Sequence, residues 1–399
     1  MIKHIDLFMP PNISQYGVLH HFTLKMHEAL LRSGVRSRIL EAQKNNPKPF
    51  LSELFKEVPD CTLSFNGLLP DNEGRFFCDL VKIPHVACTV DSPNGFFSLA
   101  NSPYTIITSV DRNACDFFRG IHAQHILFMP HGVEKHLNIK SESDSRPYDV
   151  IMLSSAIDSD EVRDRWRKKF PKPLCKVIED AAELALSDQK TPYVQAFVIM
   201  LDKYVSEGAP LDPAKIEFID ILDELETYIR GRDRLELVKA IKDAKVHIFG
   251  SSSSTAGWKK LLKDQHPNIV IHDGVPYDQA IELMHQSKIV LNSCAWIKNG
   301  THERILTGLN AGAVVITAEN TYMKEFFTDG VNIAYYRYRH WDDVNQTVNQ
   351  LLSDETKRKE IAAAGREQVL HHHTWDHRVA VLLKELTPII NKFKAVATY

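Results

Sequence analysis

At 399 residues the chain is too long for one compact core and suits two domains of ordinary size. Hydrophobic residues at 44% and charged residues at 25% exclude disordered and fibrous classes. A formal charge of −3, from 48 basic and 51 acidic residues, exerts no global pull toward nucleic acid, and no apolar run of about 18 residues is present to span a membrane.

The opening MIKHIDLFMPP is too short in its apolar part for a signal peptide and lacks a small-residue cleavage site, so it reads as a first strand, Ile2 to Phe8. Pro10-Pro11 ends it before the loop Asn12 to Gly17. Leu19, Phe22, Met26, Ala29 and Leu30 then recur at helical spacing until Gly34, and Arg36 to Leu40 is strand-like. The alternation continues with strand-like runs at Cys61 to Phe65, His85 to Thr89, Tyr104 to Thr108 and Ile126 to Met129. Between them lie helix-like segments at Pro49 to Lys56, Arg75 to Leu80, Gly95 to Ala100 and Asp111 to Phe118. This rhythm predicts a mostly parallel sheet covered on both faces, with ligands at the carboxyl ends of its strands. The six cysteines are scattered, with no Cys-x-x-Cys, and read as reduced core residues of a cytoplasmic protein.

Lys140 to Pro147 is polar, carries a proline and serves as the expected linker. A second α/β unit starts at Tyr148 and is interrupted by a charged, proline-bearing stretch, roughly residues 158–231, which reads as a helical insertion. The α/β rhythm resumes after Leu235 to Ala244. Strand-like runs resume at Val246 to Phe249, Ile269 to His272, Ile289 to Asn292, Ala313 to Thr317 and Asn332 to Tyr335. Helices are predicted at Tyr277 to Gln286, Thr301 to Ala311, Tyr322 to Phe327, Trp341 to Leu352, Glu355 to Leu370 and Trp375 to Phe393. The expected architecture is α/β, with two doubly wound Rossmann-like domains, residues 1–140 and 148–374. The closing helix, 375–399, packs back on the first.

The most informative stretch is Leu291 to Glu319, LNSCAWIKNGTHERILTGLNAGAVVITAE. A buried strand runs into a Gly-bearing loop and then a helix opening near Thr301 or His302. Unpaired backbone N–H groups and the positive helix end make such a junction a seat for an anion. Gly312 reads as the left-handed residue that closes this helix.

With these features the chain resembles GT-B glycosyltransferases of the group-1 type, close to the CgeB-like spore-maturation proteins. The matching residues are NGTHERILTGLNAGAVVITAEN (Asn299 to Asn320), Glu325 to Gly330 and Asn332-Ile333. In the first half they are SFNGLL (Ser64 to Leu69), KIPHVACTVDSP (Lys82 to Pro93), NSPYTIITSVD (Asn101 to Asp111) and FMPHGV (Phe128 to Val133). The resemblance implies transfer of a sugar from a nucleotide-diphosphate donor, a UDP-sugar, to an acceptor hydroxyl, without a metal or resident cofactor. The donor is held mainly by the second domain, with Glu303 and Arg304 beside it. An Arg can neutralise charge growing on the leaving diphosphate, and a carboxylate can hold ribose or sugar hydroxyls. Many relatives carry Glu-x7-Glu here, whereas this sequence has Asn299 and Thr307 at those two positions.

Within this reading Gln15, Tyr16, Gly17, Gly250, Tyr277, Asn292, Gly300, Thr301, His302, Glu303, Arg304, Thr307 and Glu319 are the donor-binding candidates. Asp91, His131 and Arg304 are the catalytic ones. Asp91 and His131 follow strands of the first domain, where either could take a proton from an acceptor hydroxyl, or serve only as a turn residue and a packed histidine. Ser251 to Ser254 offers hydroxyls and amides to phosphate or forms a flexible loop. Lys259 and Lys260 could meet a diphosphate or lie solvated. His373 and His377 stand at i, i+4, yet no carboxylate or cysteine accompanies them, and no metal is expected. Two other functions fit the sequence: a nucleotide-sugar epimerase of the same fold, and a non-catalytic nucleotide-sugar-binding scaffold.

Overall fold

Short β-branched and apolar runs become parallel strands, and the amphipathic segments between them become helices that cover the sheets. The computed structural model describes residues 2–10, 15–43, 46–139, 145–250, 252–262 and 265–397. Its contacts divide the chain into two units, Met1–His136 with Leu370–Tyr399, and Leu137–Val369.

The first unit runs β1 (His4–Met9), α1 (Val18–Arg32), β2 (Arg36–Glu41), α2 (Lys48–Lys56), β3 (Cys61–Phe65), α3 (Phe77–Val81), β4 (His85–Thr89), β5 (Thr105–Ser109), α4 (Arg112–Gly120) and β6 (Ile126–Phe128). The strands are parallel in the order β2-β1-β3-β4-β5-β6. β3, β4 and β5 are buried along their whole length, as strands covered on two faces must be. The segment Gly95 to Ala100 winds as a 3-10 helix, Pro93–Asn101. The unit is completed by a closing helix, Trp375–Ala397, which packs along α1. Its buried face carries Trp375, Val379, Leu382, Leu386 and Ile390.

The second unit starts with β7 (Tyr148–Leu153), followed by α5 (Ser159–Lys169), α6 (Lys172–Ala185), α7 (Tyr193–Ser206) and α8 (Phe218–Ala240). Then come β8 (Val246–Gly250), α9 (Ser252–Leu262), β9 (Ile269–Asp273), α10 (Tyr277–His285), β10 (Ser287–Asn292), α11 (Glu303–Asn310), β11 (Val314–Ala318), β12 (Ala334–Tyr336), α12 (Trp341–Ser353) and α13 (Glu355–His372). The closing helix is therefore α14. The order β12-β11-β10-β7-β8-β9 is the doubly wound order of dinucleotide-binding sheets. The winding reverses between β7 and β10. Loops at the carboxyl ends of those two strands diverge and leave a crevice there.

Three readings of the sequence change. The insertion is helical, but its last helix does not end near the expected boundary at Gly231 and runs unbroken to Ala240. Gly231 survives inside a helix because its missing Cβ allows close packing: a Cβ there would stand 2.8 Å from the Ile157 carbonyl oxygen. Ser252 to Ser254 belong to the first turn of α9 and not to a loop. The predicted helix Tyr322 to Phe327 is only a 3-10 turn, Met323–Glu325. Parts of other expected features, Asn12 to Ser14, Lys140 to Asp144 and Ser251, lie outside the described residues. All six cysteines are buried and free. Among the described residues, no helix is long and apolar enough to cross a membrane.

Candidate functional site

At the switch point of the second unit, β10 ends at Asn292 and the chain reaches α11 through a loop whose residues are mostly buried. His302 takes the N-cap position and Glu303 opens the first turn, where a carboxylate is favoured by the helix dipole. The His302 ring lies against the Glu303 carboxylate, and its Nε2 accepts a hydrogen bond from Arg304 Nη2 at 2.9 Å. His302 Nδ1 faces the Glu303 carboxylate and also accepts from the Arg304 backbone N–H at 3.3 Å, so the ring caps the helix start while it orients the guanidinium. Burial, and then the Arg304 charge, pull the His302 pKa below its usual value, which keeps the ring neutral. Arg304 also donates from Nη1 to the Leu153 carbonyl at 2.9 Å. Its guanidinium is thus fixed at the end of β7.

Several polar atoms in this loop are buried without a hydrogen-bond partner: Asn292 Oδ1, Asn299 Oδ1 and Thr301 Oγ1. Asn292 is 1% exposed, with its Nδ2 donating to Thr317 Oγ1 at 3.0 Å, and Thr301 is also 1% exposed. Unsatisfied polar atoms in such number are costly, about 1–3 kcal/mol each, unless something else supplies the missing bonds. Gly300 sits between them, and its carbonyl accepts from Asn320 Nδ2 at 3.1 Å.

Other donor candidates take different places. Gly250 ends β8, immediately before α9. Tyr277 is buried, with its hydroxyl 3.2 Å from Thr307 Oγ1, so this ring packs α10 on α11 instead of presenting a stacking face. Thr307, at the position of a carboxylate in many relatives, is closed off in that pair. Glu319 follows β11 and is ion-paired with Lys324 at 2.7 Å. Lys260 is taken up by Asp158 and Glu161. Gly312 is left-handed, φ 77°, as a helix terminator should be.

The insertion reaches this edge as well, which no local pattern of residues signals. Asp233, in α8, is fully buried and accepts from Ser293 Oγ, just past β10, and from Tyr336 OH at 3.1 Å. Arg234 donates to the Ser155 carbonyl at 3.0 Å. Lys298 is 1% exposed and donates to the Ala185 and Asp188 carbonyls at 2.9 Å, with its ammonium 4.1 Å from the Tyr338 ring centre. Within the charged run RGRDR, residues 230–234, long-range packing turns Asp233 and Arg234 inward.

In the first unit the carboxyl edge holds Asp91, His131 and the turn Gln15–Gly17. Asn66, directly after β3, has φ 60° and Gly67 φ 69°. A Cβ on Gly67 would lie 2.6 Å from that of Ala87, so the turn tolerates no side chain there. The turn aims Asn66 across to β4: its Oδ1 accepts from Val90 N at 3.0 Å and its Nδ2 donates to Asp91 Oδ2 at 2.7 Å. His131 is 4% exposed, its ring 5.6 Å from that of Phe22. Tyr16 is 44% exposed in the left-handed region, φ 58°, next to Gly17 at φ 84°. Such a conformation in a non-glycine residue is uncommon and concentrates at functional turns. Among the described residues no group of three or more His, Cys, Asp or Glu is gathered to hold a metal. His373 is buried against Arg378, and burial pushes its pKa down to about 2.

Two parallel six-stranded sheets, each flanked by helices, are the GT-B glycosyltransferase fold. Residues 230–384 match the family model described as glycosyl transferase-like, which takes in the end of α8 and the whole β10–α11 loop. Among solved structures, HepE of Anabaena in complex with UDP and glucose is 12% identical, with a TM-score of 0.54 over 97% of this chain and 100% of that one. Sucrose-phosphate synthase from Thermosynechococcus elongatus is 8% identical, with a TM-score of 0.56 over 98% and 100%. AviGT4, a glycosyltransferase involved in avilamycin A biosynthesis, is 10% identical, with a TM-score of 0.54 over 98% of each chain. HepE has also been solved in complex with UDP-glucose. No curated protein matches the sequence.

Proposed function

We propose that the protein is a metal-independent glycosyltransferase that moves a sugar from a UDP-sugar to an acceptor hydroxyl, akin to the CgeB-like group and acting in the cytoplasm. The observation that carries this reading is the β10–α11 loop, where buried, unpartnered oxygens of Asn292, Asn299 and Thr301 lie along the segment that leads into an anchored Arg304, inside the region matched by the glycosyl transferase-like model. The amino end of α11 and Arg304 bind the diphosphate and stabilise it as it leaves; Glu303 holds donor hydroxyls. Basic groups and a helix end thereby take the part a divalent ion plays elsewhere. Gly250, Gly300 and His302 shape the same edge, while Tyr277 and Thr307 support α11 from behind. Glu319, Gln15, Tyr16 and Gly17 are assigned to the donor through their loops.

On the acceptor side, Asp91 is the base, oriented by Asn66; it is more exposed than His131, whose ring is packed on Phe22. No specific observation favours the epimerase or the scaffold.

The test is release of nucleotide diphosphate from a panel of UDP- and GDP-sugars, with and without glycan acceptors. Turnover of a UDP-sugar is expected, and Arg304→Ala should lower it by at least about 100-fold, the scale seen when one charge-stabilising donor is lost. A wild-type protein that binds nucleotide sugars yet turns none over would overturn the assignment.

A further inference from the structure

The matched family region begins at residue 230, so α5, α6, α7 and the first half of α8 lie outside it. Nothing in the donor site accounts for their outer surface. α7 packs on α6 and α8, and its buried residues are Tyr193, Ala196, Phe197 and Leu201. One such apolar stripe is what a surface helix needs, and the face turned to solvent is then expected to be polar.

That face is not polar throughout. Gln195, Val198, Ile199, Asp202, Lys203 and Ser206 are exposed and recur at helical spacing, so they form a second stripe. Val198, at 44% exposure, and Ile199, at 41%, lie in its middle. The start of α8 adds to it: Phe218 meets the Phe197 ring edge-on at 5.6 Å, and Ile219, the next residue, is 48% exposed. Large aliphatic side chains left side by side in water mark a contact surface, whereas single scattered ones do not.

The polar groups around this patch point to its occupant. Residues 190–220 carry more carboxylates than lysines, which disfavours an anionic bilayer. The same groups are disposed symmetrically about the patch. Gln195 and Asp202 are equally far along the chain from the midpoint between Val198 and Ile199, and so are Lys190 and Glu207, just beyond the helix ends. All four are exposed, and among the described residues none of their side chains enters an ion pair or hydrogen bond. A two-fold axis through that midpoint, perpendicular to the helix, lays α7 antiparallel on the α7 of a second copy. Val198 of each chain then faces Ile199 of the other, each Asp202 can accept from a Gln195 amide, and each Lys190 stands level with a Glu207.

We infer that the protein forms a two-fold dimer through α7 of the helical insertion, with the two copies antiparallel about Val198 and Ile199. The contact is isologous, so every favourable pair occurs twice and a second copy of the chain supplies the whole complementary pattern. The apolar centre holds the copies together. The Lys190–Glu207 pairs lie at the rim, where they select the antiparallel register more than they add affinity.

The experiment is light scattering and sedimentation equilibrium of the full chain over a concentration series, with circular dichroism to check the fold. Wild type should reach the mass of two chains. Ile199→Asp should weaken association at least about 100-fold, because a central side chain is lost twice, and the helical signal should stay the same because the position is exposed. Lys190→Glu should weaken it about 3- to 10-fold through two repelling rim pairs, and adding Glu207→Lys should recover nearly all of that loss. A wild type that keeps the mass of one chain, or a dimer that Ile199→Asp leaves as tight, overturns the inference. A loss in Lys190→Glu that Glu207→Lys does not repair rules out the antiparallel register and overturns it too. So does a monomeric wild type that binds vesicles of phosphatidylcholine and phosphatidylglycerol and loses them in Ile199→Asp, a result that gives the face to a membrane.

Discussion

Arg304 is held by a backbone carbonyl and a neutral histidine, so its charge sits at a fixed point at the end of β7. Asp233 beneath it behaves differently. Burial pushes its carboxyl up to about 6 from an ordinary 3.8. Between those values the folded chain keeps a proton that the unfolded chain gives up, so this group's contribution to stability is complete below about 3.8 and is lost as pH rises through about 6. An asparagine there never ionises. Asp233→Asn should therefore gain stability relative to wild type between pH 4 and pH 7, by up to roughly 3 kcal/mol. Urea melts of the two proteins at both pH values measure the change, and a pH-independent difference would refute it. At this scale Glu303 and Arg304 were legible, because Gly-Thr-His-Glu-Arg after an apolar strand is a helix start that needs no partner to be recognised. Asn66 was legible only as a strand-end residue: its grip on Asp91 joins residues 25 positions apart, which only the fold brings together.

The strands could be read from runs of β-branched residues, and most helices from their 3.6 period. α8 could not be read whole. Its glycine and charges at residues 230–234 suggest a break in a solvated segment, while the structure uses them as a contact point, two buried charges and a partly open arginine. The element therefore supplies a test in which propensity and packing oppose each other. Gly231→Ala should favour an isolated helix by about 1 kcal/mol, yet here the new methyl meets the Ile157 carbonyl and side chain at 2.8 Å. Overpacking of this kind typically costs about 1–3 kcal/mol, so the variant should melt at a lower temperature and bind UDP more weakly. A higher melting point would show that the helix gives way freely.

For the molecule as a whole, the alternation of strands and helices was enough to expect two doubly wound sheets. The course of the chain between units is less local: residues 370–399 belong with the first unit although they follow the second. Trp375 lies 5.4 Å from the Phe22 ring and 6.0 Å from that of Phe65, and the rest of α14 buries four large aliphatic residues. Deleting residues 375–399 should unfold the first unit and leave the second. Limited proteolysis would then digest residues 1–136 and spare a fragment close to 137–369; equal resistance to that of the full chain would contradict the prediction.

The end of β7 has one more consequence. Its three successive carbonyls, of Leu153, Ser154 and Ser155, are capped in turn by Arg304, Trp258 and Arg234. During synthesis these partners emerge in the order Arg234, Trp258, Arg304, and the last arrives 151 residues after the carbonyl it binds. A ribosome-bound chain that stops short of α11 can therefore pair β7 with β8 and β8 with β9, yet it lacks Arg304, the residue proposed above to meet the diphosphate. On the proposed function, nucleotide binding becomes available only after the switch point closes, so it would report that translation has passed that point.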